Sequence, residues 1–413
     1  MLLPLDASLL KMKRLLVLFF IVLITPMVSA LAAERQPFVE SIPAWVNSES
    51  GAKVVQITSQ PVTSTNVHME QRFTSADGKR IAIERQSFGQ PSELWICELD
   101  TTRLYRIGKG QAMTASFSQD AIYYLTPSPE SRLMRVNLLD LSTREILKMP
   151  GDRQPRKLAV SNDESRIVAG PFWLRDNVYQ IEVIDLANGK RTTLCELADI
   201  PNPHLQFDPG NPEQLLVQVN RGSEFTPTTG LTRLSGSRGA TLCLVGVPSG
   251  KITSLPVGLP STPLISGHST WAGRSGGVVF TTAPGVADSL LSNTGVFHLA
   301  SGADRPVQIV SGQRFNHLAV SDDGQFFIVD DYRTQSIQIG SVETGRYLKL
   351  CDSRTRQGKP QYTHAHPYLT PDNRHVIFNS NVTGVTQVYA ATVPAAFLED
   401  VAKPRQRKRD TQR

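Results

Sequence analysis

The chain has 413 residues, of which 40% are hydrophobic and 19% are charged, and its formal net charge is +6. Most of this charge lies at the two ends. Residues 1–32 contribute +2 (three basic, one acidic) and residues 399–413 contribute +3 (six basic, three acidic), so the residues between them carry only +1. A near-neutral body lacks the basic surface that nucleic acid requires, and no nucleic-acid partner is expected.

The N-terminal segment has the features of an export signal. Three basic residues, Lys11, Lys13 and Arg14, precede the apolar run 15–24, and small residues at 30–32 offer a cleavage site. We predict that residues 1–32 are a signal peptide, which places the mature chain in the periplasm or outside the cell. The apolar run is short for a spanning helix, so we expect no stable membrane insertion of the mature chain; a retained anchor is the alternative.

Seven times along the remaining chain, a short apolar run is followed by a polar turn and a second apolar run. The turns are 74–78, 118–120, 161–163, 208–211, 272–275, 321–324 and 370–373. Repeats of roughly 40 to 50 residues built from strands are typical of β-propellers. The sequence therefore predicts an all-β fold, a seven-bladed β-propeller over residues 33–398.

The two ends of the repeat array complement each other. The segment 53–58 resembles the fourth strand of a repeat and precedes the first full copy, whereas the last copy ends after its third strand near Ala390. We predict that this N-terminal strand completes the last blade and closes the ring, which protects the sheet edges. Residues 399–413 are predicted to be a basic disordered tail.

The four cysteines give no metal-binding motif. Cys97, Cys195, Cys243 and Cys351 are far apart in the chain and form no CxxC pair. Cys97 and Cys243 lie in apolar runs and are expected to be buried as small hydrophobes. The sequence leaves open a single disulfide in an exported chain.

Half of the eight histidines share one position relative to the turn. Alignment of the seven repeats places one residue per blade at the start of the innermost strand, in the order Glu70, Thr114, Lys157, His204, His268, His317 and His366. Innermost strands line the central channel of a propeller, so these side chains are expected to converge. A ring with four imidazoles and a lysine is suited to binding a metal and an anion together.

The last repeat adds His364, which lies on the same side as His366 if this segment is an extended strand. Gln361 lies in the approach loop, and His268 occupies the same register in another blade. We predict that these four residues are metal ligands; neutral imidazoles and an amide oxygen suit Mn²⁺, Fe²⁺, Co²⁺, Ni²⁺ or Zn²⁺. The other three histidines are off register and are expected to lie at the surface or in packing positions: His68, His298 and His375.

These segments resemble a known family. Residues 361–367 with 370–372, and Gly267-His268 followed by Trp271, are similar to the oligogalacturonate lyases of the seven-bladed propeller type; Pro203-His204 and His317-Leu318 extend the likeness. The resemblance implies β-elimination on short uronide oligosaccharides, with a divalent metal, usually Mn²⁺, held by Gln361, His364, His366 and His268. A small acidic oligosaccharide would then be the partner, and the oligomeric state is not predicted.

Two positions depart from the family pattern. The family has a histidine in a Cys-His-Glu-Gly stretch, where this chain has Val219-Asn220-Arg221-Gly222, and the family arginine ahead of His204 is absent from residues 197–202. His204 or Lys157 is therefore expected to act as the base, and Arg221 or Lys157 to pair with a substrate carboxylate. We expect Asn220, His317 and Glu70 to contact the substrate.

Two other functions remain open. One is a non-catalytic exported propeller that binds a sugar, peptide or protein partner in the manner of TolB-like propellers, since fold does not fix function. The other is a metalloenzyme with a different substrate. The sequence has no phosphate-binding glycine loop or zinc-protease motif, which disfavours those chemistries.

Overall fold

The computed structural model describes residues 36–116, 120–149, 153–283, 294–356 and 360–404. The predicted signal peptide and the tail beyond residue 404 lie outside the described residues. A first unit ends at Phe38, and a second unit begins at Val39 and contains the propeller. The short strand β1 (Phe38–Val39) lies at this division. Within the described residues, no helix has the length and apolar character needed to cross a membrane.

The second unit contains seven antiparallel blades, which confirms the predicted seven-bladed β-propeller. Blades 1 to 3 are β4 (Thr63–Thr65), β5 (Arg80–Gln86), β6 (Glu93–Glu98) and β7 (Arg103–Lys109); β8 (Gln111–Ser116), β9 (Ala121–Leu125), β10 (Arg132–Asn137) and β11 (Thr143–Lys148); β12 (Lys157–Val160), β13 (Arg166–Arg175), β14 (Val178–Asp185) and β15 (Arg191–Ala198). Within each blade the strands are given from the channel outward.

The next blades follow the same order, with one insertion. Blades 4 to 6 are β16 (Gln206–Asp208), β17 (Asn211–Asn220), β20 (Ala240–Gly246) and β21 (Ile252–Ser254); β22 (Ile265–Trp271), β23 (Val278–Thr282), β24 (Gly295–Leu299) and β25 (Val307–Ser311); β26 (Phe315–Val320), β27 (Phe326–Asp331), β28 (Ser336–Ser341) and β29 (Tyr347–Asp352). A separate hairpin, β18 (Glu224–Thr226) and β19 (Gly230–Arg233), is inserted in blade 4 between β17 and β20.

The N-terminal strand closes the ring as predicted. Blade 7 consists of β30 (Tyr368–Leu369), β31 (His375–Ser380), β32 (Gln387–Thr392) and β3 (Lys53–Gln56), and β2 (Ile42–Val46) adds a fifth strand outside β3. Val54 pairs with Ala391 and Val55 with Ala390. Strands from both ends of the chain therefore share one sheet.

The core lies between the faces of neighbouring blades. Because each sheet packs against sheets on both sides, the middle strands are buried on both faces and their sequences are continuous apolar runs; all five residues of β9 are buried. One apolar cluster joins blades 4 and 5 through Leu216, Trp271 and Phe280. Burial between blades thus explains the apolar runs that revealed the repeats.

Three features differ from the sequence-based picture or complete it. A helix, α1 (Ala395–Ala402), buries Phe397 and Val401 and covers the first four residues of the segment predicted as a tail. The sequence analysis found no helix here, because the segment is only two turns long. The stretch 222–239 contains the β18–β19 hairpin. All four cysteines are buried free thiols.

Candidate active site

Two of the ring histidines lie at bulges in their inner strands. In β22 the pairing passes from Ile265 directly to Ser269, and in β26 it passes from Phe315 to Leu318, with an irregular register in each interval. A bulge leaves a residue outside the ladder and redirects its side chain. His268 and His317 lie in these intervals, and their ring centroids are 4.4 Å apart.

The backbone adopts uncommon conformations at three other points of the site. His204 and His366 have φ values of 46° and 44°, and Val67, which precedes His68, has a φ of 64°. Left-handed conformations are rare for residues other than glycine, and a β-branched residue there is a clear outlier. Such conformations are costly and concentrate at functional sites, where the surrounding structure enforces them.

Six of the eight histidines form one series of ring contacts at the channel. His204 lies 6.1 Å from His268 between ring centroids, and His317 lies 4.1 Å from His366. The series consists of His68, His204, His268, His317, His364 and His366. The predicted convergence of imidazoles therefore occurs, and it also includes His68, which the sequence analysis had placed off register.

Three of these histidines form a group that could hold a metal ion. One potential ligand atom from each of His317, His364 and His366 lies within 4.8 Å of the others. His317 Nε2 is 3.3 Å from His364 Nδ1. His366 Nε2 is buried and has no hydrogen-bond partner among the described residues. An uncompensated buried nitrogen beside two other imidazoles fits a cation held by lone pairs.

A buried carboxylate orients the central histidine of this group. Asp330 accepts hydrogen bonds from the His317 backbone N–H at 2.8 Å and from His317 Nδ1 at 2.7 Å, and both side chains are fully buried. Burial raises the pKa of Asp330 to about 6 and lowers the pKa of His317 well below 6.5. At neutral pH the carboxylate is ionised and the imidazole is neutral. The Nε2 lone pair of His317 then faces the group. Histidines that bind metals commonly donate their other ring N–H to a carboxylate in this way.

A second group lies on the other side of His268. His204 Nδ1 is 2.5 Å from Glu70 Oε1, and Asn202 Nδ2 is 2.7 Å from His204 Nε2. Since ionised Glu70 can only accept, Nδ1 carries the proton and Nε2 accepts from the amide of Asn202. His68 Nδ1 is 3.6 Å from Glu70 Oε2. The carboxylate thus fixes the tautomer of His204 and places the ring lone pair on Nε2, where Asn202 donates to it.

The His204–Glu70 pair faces a cavity of about 240 Å³ that also contacts His68, Arg156 and Lys157. Lys157 begins β12 and is exposed, as is Arg156. Glu84 adds a second carboxylate to the lining. The two cations can bind anionic groups, and the imidazole can accept a proton. Lys157 and His204, both predicted as candidate bases, are therefore brought together.

Arg221 does not reach this cavity. Its guanidinium donates to the carbonyl oxygens of Gly239, Leu259, Arg238 and Ala240 at 2.5 to 3.3 Å. The side chain is thereby used to hold the chain around the β18–β19 hairpin. The structure thus disfavours the predicted pairing of Arg221 with a substrate carboxylate.

Asn220, His317 and Glu70 were expected to contact substrate. His317 is fully buried inside the histidine group, and Asn220 is 2% exposed at the end of β17. Glu70 binds His204 and also lines the cavity beside it. Contact of these three residues with substrate stays a prediction, because the inner-strand alignment gives the register of a residue but not its depth or hydrogen bonds.

The segment 361–366 is not the extended strand that was predicted. Gln361–Thr363 form a 3-10 turn, β30 begins only at Tyr368, and His366 is left-handed. The rings of His364 and His366 are nevertheless 5.9 Å apart, beside His317. Gln361 is exposed. The 3-10 turn ends before His364, whose backbone is extended, so the two histidines lie close together in a segment outside any strand.

Three residues at the site were missed by the sequence analysis: His68, Asp330 and Arg156. His68 and Glu70 are separated by one residue, as His364 and His366 are, and this spacing was the available signal. Asp330 lies at the end of β27, thirteen residues after His317, and becomes its neighbour only through strand pairing.

Comparisons with known proteins find relatives that align with most of the chain. The chain is 22% identical over 383 residues to the oligogalacturonate lyase of Dickeya dadantii, covering 86% of this chain and 96% of that protein. It is 21% identical over 402 residues to the oligogalacturonide lyase of Pectobacterium atrosepticum, covering 85% and 95%. The family resemblance inferred from the histidine segments is confirmed over most of the chain. No family model matches.

Two solved structures share the fold. An oligogalacturonate lyase in complex with manganese superposes with a TM-score of 0.67 at 16% identity, over 88% of this chain and all of that chain. The oligogalacturonate lyase of Vibrio parahaemolyticus gives a TM-score of 0.69 at 16% identity with the same coverage. At this identity the likeness confirms the propeller fold.

Proposed function

We propose that the protein is a metal-dependent lyase that cleaves short uronide oligosaccharides of the oligogalacturonate class by β-elimination. One observation carries the proposal. The His204–Glu70 pair and the group His317, His364 and His366 flank His268 at one channel. A proton acceptor thus lies beside a site suited to a divalent cation, in a chain similar in sequence to lyases of this class.

The reaction requires these two elements. The C5 hydrogen of a uronate is acidic because it lies next to the carboxylate, and its removal increases the negative charge on that carboxylate. The electrons of the C5–H bond form the C4=C5 double bond, and the C4–O bond breaks with its electrons on the departing oxygen, which then takes up a proton. The barrier falls when a positioned base and an electrostatic stabiliser act together.

The histidine group fits a divalent first-row ion, with Mn²⁺ the simplest candidate because a structural neighbour is a manganese complex. His317, His364 and His366 would hold it; His268 and Gln361, both assigned as ligands from the sequence, complete the proposed set. When bound, the ion would supply a Lewis acid for the substrate carboxylate.

His204 is proposed as the base. Its Nε2 would exchange the hydrogen bond from Asn202 for the C5 proton while its Nδ1–H remains bonded to Glu70, which stabilises the imidazolium that results. Lys157 is the second candidate for this role. If His204 is the base, Lys157 and Arg156 are free to pair with substrate carboxylates from the wall of the same cavity.

We also propose that the mature chain acts in the periplasm or as a secreted protein. The basic and apolar residues between Lys11 and Ile24, followed by small residues, support this location. The substrate would then be a small acidic oligosaccharide supplied outside the cytoplasm.

A non-catalytic propeller is the second candidate. Asn220 stands where the resembling family has a histidine, and Arg221 is bound to backbone carbonyls. In this case the cavity beside His204 would bind an acidic sugar without cleaving it.

Metal content and turnover, measured on one sample, test the proposal. The purified mature chain should hold about one first-row ion, and digalacturonate should gain the ultraviolet absorbance of a C4=C5 double bond conjugated to a carboxylate. The double substitution His364→Ala with His366→Ala should remove both metal and activity; His298→Gln, on β24, the third strand of blade 5 from the channel, should keep both. Metal without turnover would support another substrate, and neither property after Mn²⁺ reconstitution would support the binding propeller.

A further inference from the structure

Arg156 borders two cavities. One contains the His204–Glu70 pair, and the other, also of about 240 Å³, lies on blade 3 and the insertion of blade 4. We name this second cavity the aromatic cleft and define it by the residues Arg153, Arg156, Phe172, Trp173, Tyr179 and Phe225. The proposed chemistry uses no residue of this cleft except Arg156.

Aromatic rings from two blades form the walls of the cleft. Trp173 on β13 is 40% exposed, which is unusual for so large an apolar side chain. Phe225 on β18 packs 6.1 Å from Tyr179 between ring centroids. The inserted hairpin therefore creates one wall. Exposed aromatic faces beside polar groups are suited to the C–H faces of a sugar ring.

Two arginines supply positive charge to the same cleft. The guanidinium of Arg153 lies 4.4 Å from the Phe172 ring centroid, and that of Arg156 lies 5.4 Å from the ring centroid of Phe225. Arg153 also donates to Glu182 and Gln180. Arg156 has no hydrogen-bond or ion-pair partner among the described residues. A guanidinium stacked on a ring keeps its N–H edge free for a carboxylate.

A buried hydroxyl adds a further unsatisfied group. Tyr179 is 2% exposed, and its hydroxyl has no hydrogen-bond partner among the described residues. Buried polar groups normally have partners, so an unpaired hydroxyl at the wall of a cavity indicates that something polar binds there. Aromatic faces, cations and this hydroxyl together describe a site for an acidic sugar.

We propose that the aromatic cleft is a subsite for the next uronate residue of an oligosaccharide whose scissile bond lies at His204. Trp173 stacks on the sugar ring, and Arg156 binds a carboxylate at the junction between the two cavities. This inference rests on the proposed function and adds to it a preference for binding longer uronide oligosaccharides. Substrates of three or more uronate residues use both cavities, whereas a disaccharide is bound in the first alone.

Binding titrations on the full mature chain test the subsite apart from catalysis. The probes are digalacturonate, trigalacturonate and the uncharged trisaccharide maltotriose. Calorimetry on the His204→Gln background should show tighter binding of trigalacturonate than of digalacturonate, and no binding of maltotriose. Trp173→Ala should weaken trigalacturonate binding by roughly tenfold and so narrow the gap between the two acidic sugars. Arg156→Gln should weaken the binding of both acidic sugars, because Arg156 lines both cavities. Arg156→Lys should restore part of the loss.

Matched controls lie far from the cleft: Phe88→Ala, at a fully exposed ring, and Arg305→Gln, at an exposed turn, should leave both affinities unchanged. Equal affinities for the two acidic sugars in every variant would overturn the subsite, even if the wild-type chain cleaves them. A length preference that Trp173→Ala removes would support the subsite even if no cleavage is detected, and the proposed function would then fail alone.

Discussion

His204 Nδ1 lies 2.5 Å from Glu70 Oε1, although the two residues belong to blades 4 and 1. His204 lies in the loop that leads to the inner strand of blade 4, and Glu70 lies in the loop that interrupts the inner strand of blade 1. The two loops meet across the channel. The pair therefore exists only when the ring brings non-neighbouring blades together. Its geometry gives one imidazole a fixed tautomer and a carboxylate partner.

The first prediction concerns this pair. Glu70→Gln removes the charge that stabilises a protonated His204, so kcat for uronide cleavage should fall by about 10²-fold or more with a smaller change in KM. The pH at which the rate rises should also move, because the imidazole has lost its anionic partner. Steady-state kinetics from pH 5 to 9 would measure both effects.

His204→Gln serves as the reference for complete loss of the base. If Glu70→Gln only loosens the fold, the decrease in rate should follow a decrease in thermal stability, and the pH profile should keep its shape. An active His204→Gln enzyme would assign the base to Lys157 instead.

The second prediction concerns metal affinity. Asp330→Asn keeps the shape of the side chain but turns an ionised acceptor into a neutral amide beside His317. Loss of such an outer partner typically lowers metal affinity by about 10- to 100-fold. Competition with a chelator would measure the change. Asp304→Asn, in an exposed turn, is the matched control, and an unchanged affinity in Asp330→Asn would remove His317 from the ligand group.

The third prediction concerns the stability of the metal-free protein at acid pH. Burial, with neighbouring cations and histidines, holds the pKa values of His68, His268, His317 and His366 well below 6.5. Below pH 6.5 the unfolded chain therefore binds protons that the native chain does not, and stability should fall as pH falls. Each such proton adds about 1.4 kcal/mol per pH unit to the slope.

Asp330 acts in the opposite direction. Its pKa is raised to about 6, so between about pH 6 and 4 the native chain holds one proton that the unfolded chain lacks. This proton offsets one of the four that the histidines take up on unfolding. Urea unfolding of the chelator-treated protein at pH 7.5, 6.5 and 5.5 should show a steep loss, and His268→Gln should make it shallower. A stability that is flat across this range would contradict the burial of neutral imidazoles.

The fourth prediction concerns ring closure. Val54 is 2% exposed in β3 and pairs with Ala391, whereas the neighbouring Lys53 is exposed. Val54→Asp places an unpaired carboxylate in the core and should lower the free energy of unfolding by about 3 kcal/mol. Lys53→Asp, one residue away on the same strand, should change it by less than about 0.5 kcal/mol. Chemical denaturation would compare the two, and equal effects would contradict closure by this strand.

The fold could be predicted because the strands of every blade are subject to the same packing constraints. A sheet buried on both faces needs continuous apolar runs, and the turns between strands need polar residues or glycine, so the repeats are visible without tertiary knowledge. The closing strand 53–56 was found for the same reason. The helix α1 was missed because eight residues with two buried positions, Phe397 and Val401, give too weak a periodic signal.

Residues of the site could be predicted only where their positions follow the register of the inner strands. His204, His268, His317 and His366 share a position in the repeat and converge as expected. His68 lies in the irregular stretch of blade 1 between β4 and β5, where Val67 is left-handed and register gives no guidance. The partners of Arg221 and His317 depend on hydrogen bonds between distant segments, which a single sequence does not contain.

The closing strand also sets when the site is complete. His364 and His366 lie just before β30, in the blade whose outer part comes from β3 at the other end of the chain. A chain with β3 undocked leaves β32 as an exposed edge in the same blade, two strands outward from β30. The proposed metal, held by His364 and His366, should therefore be released when blade 7 opens, and its release during unfolding would report whether the two ends of the chain are still paired.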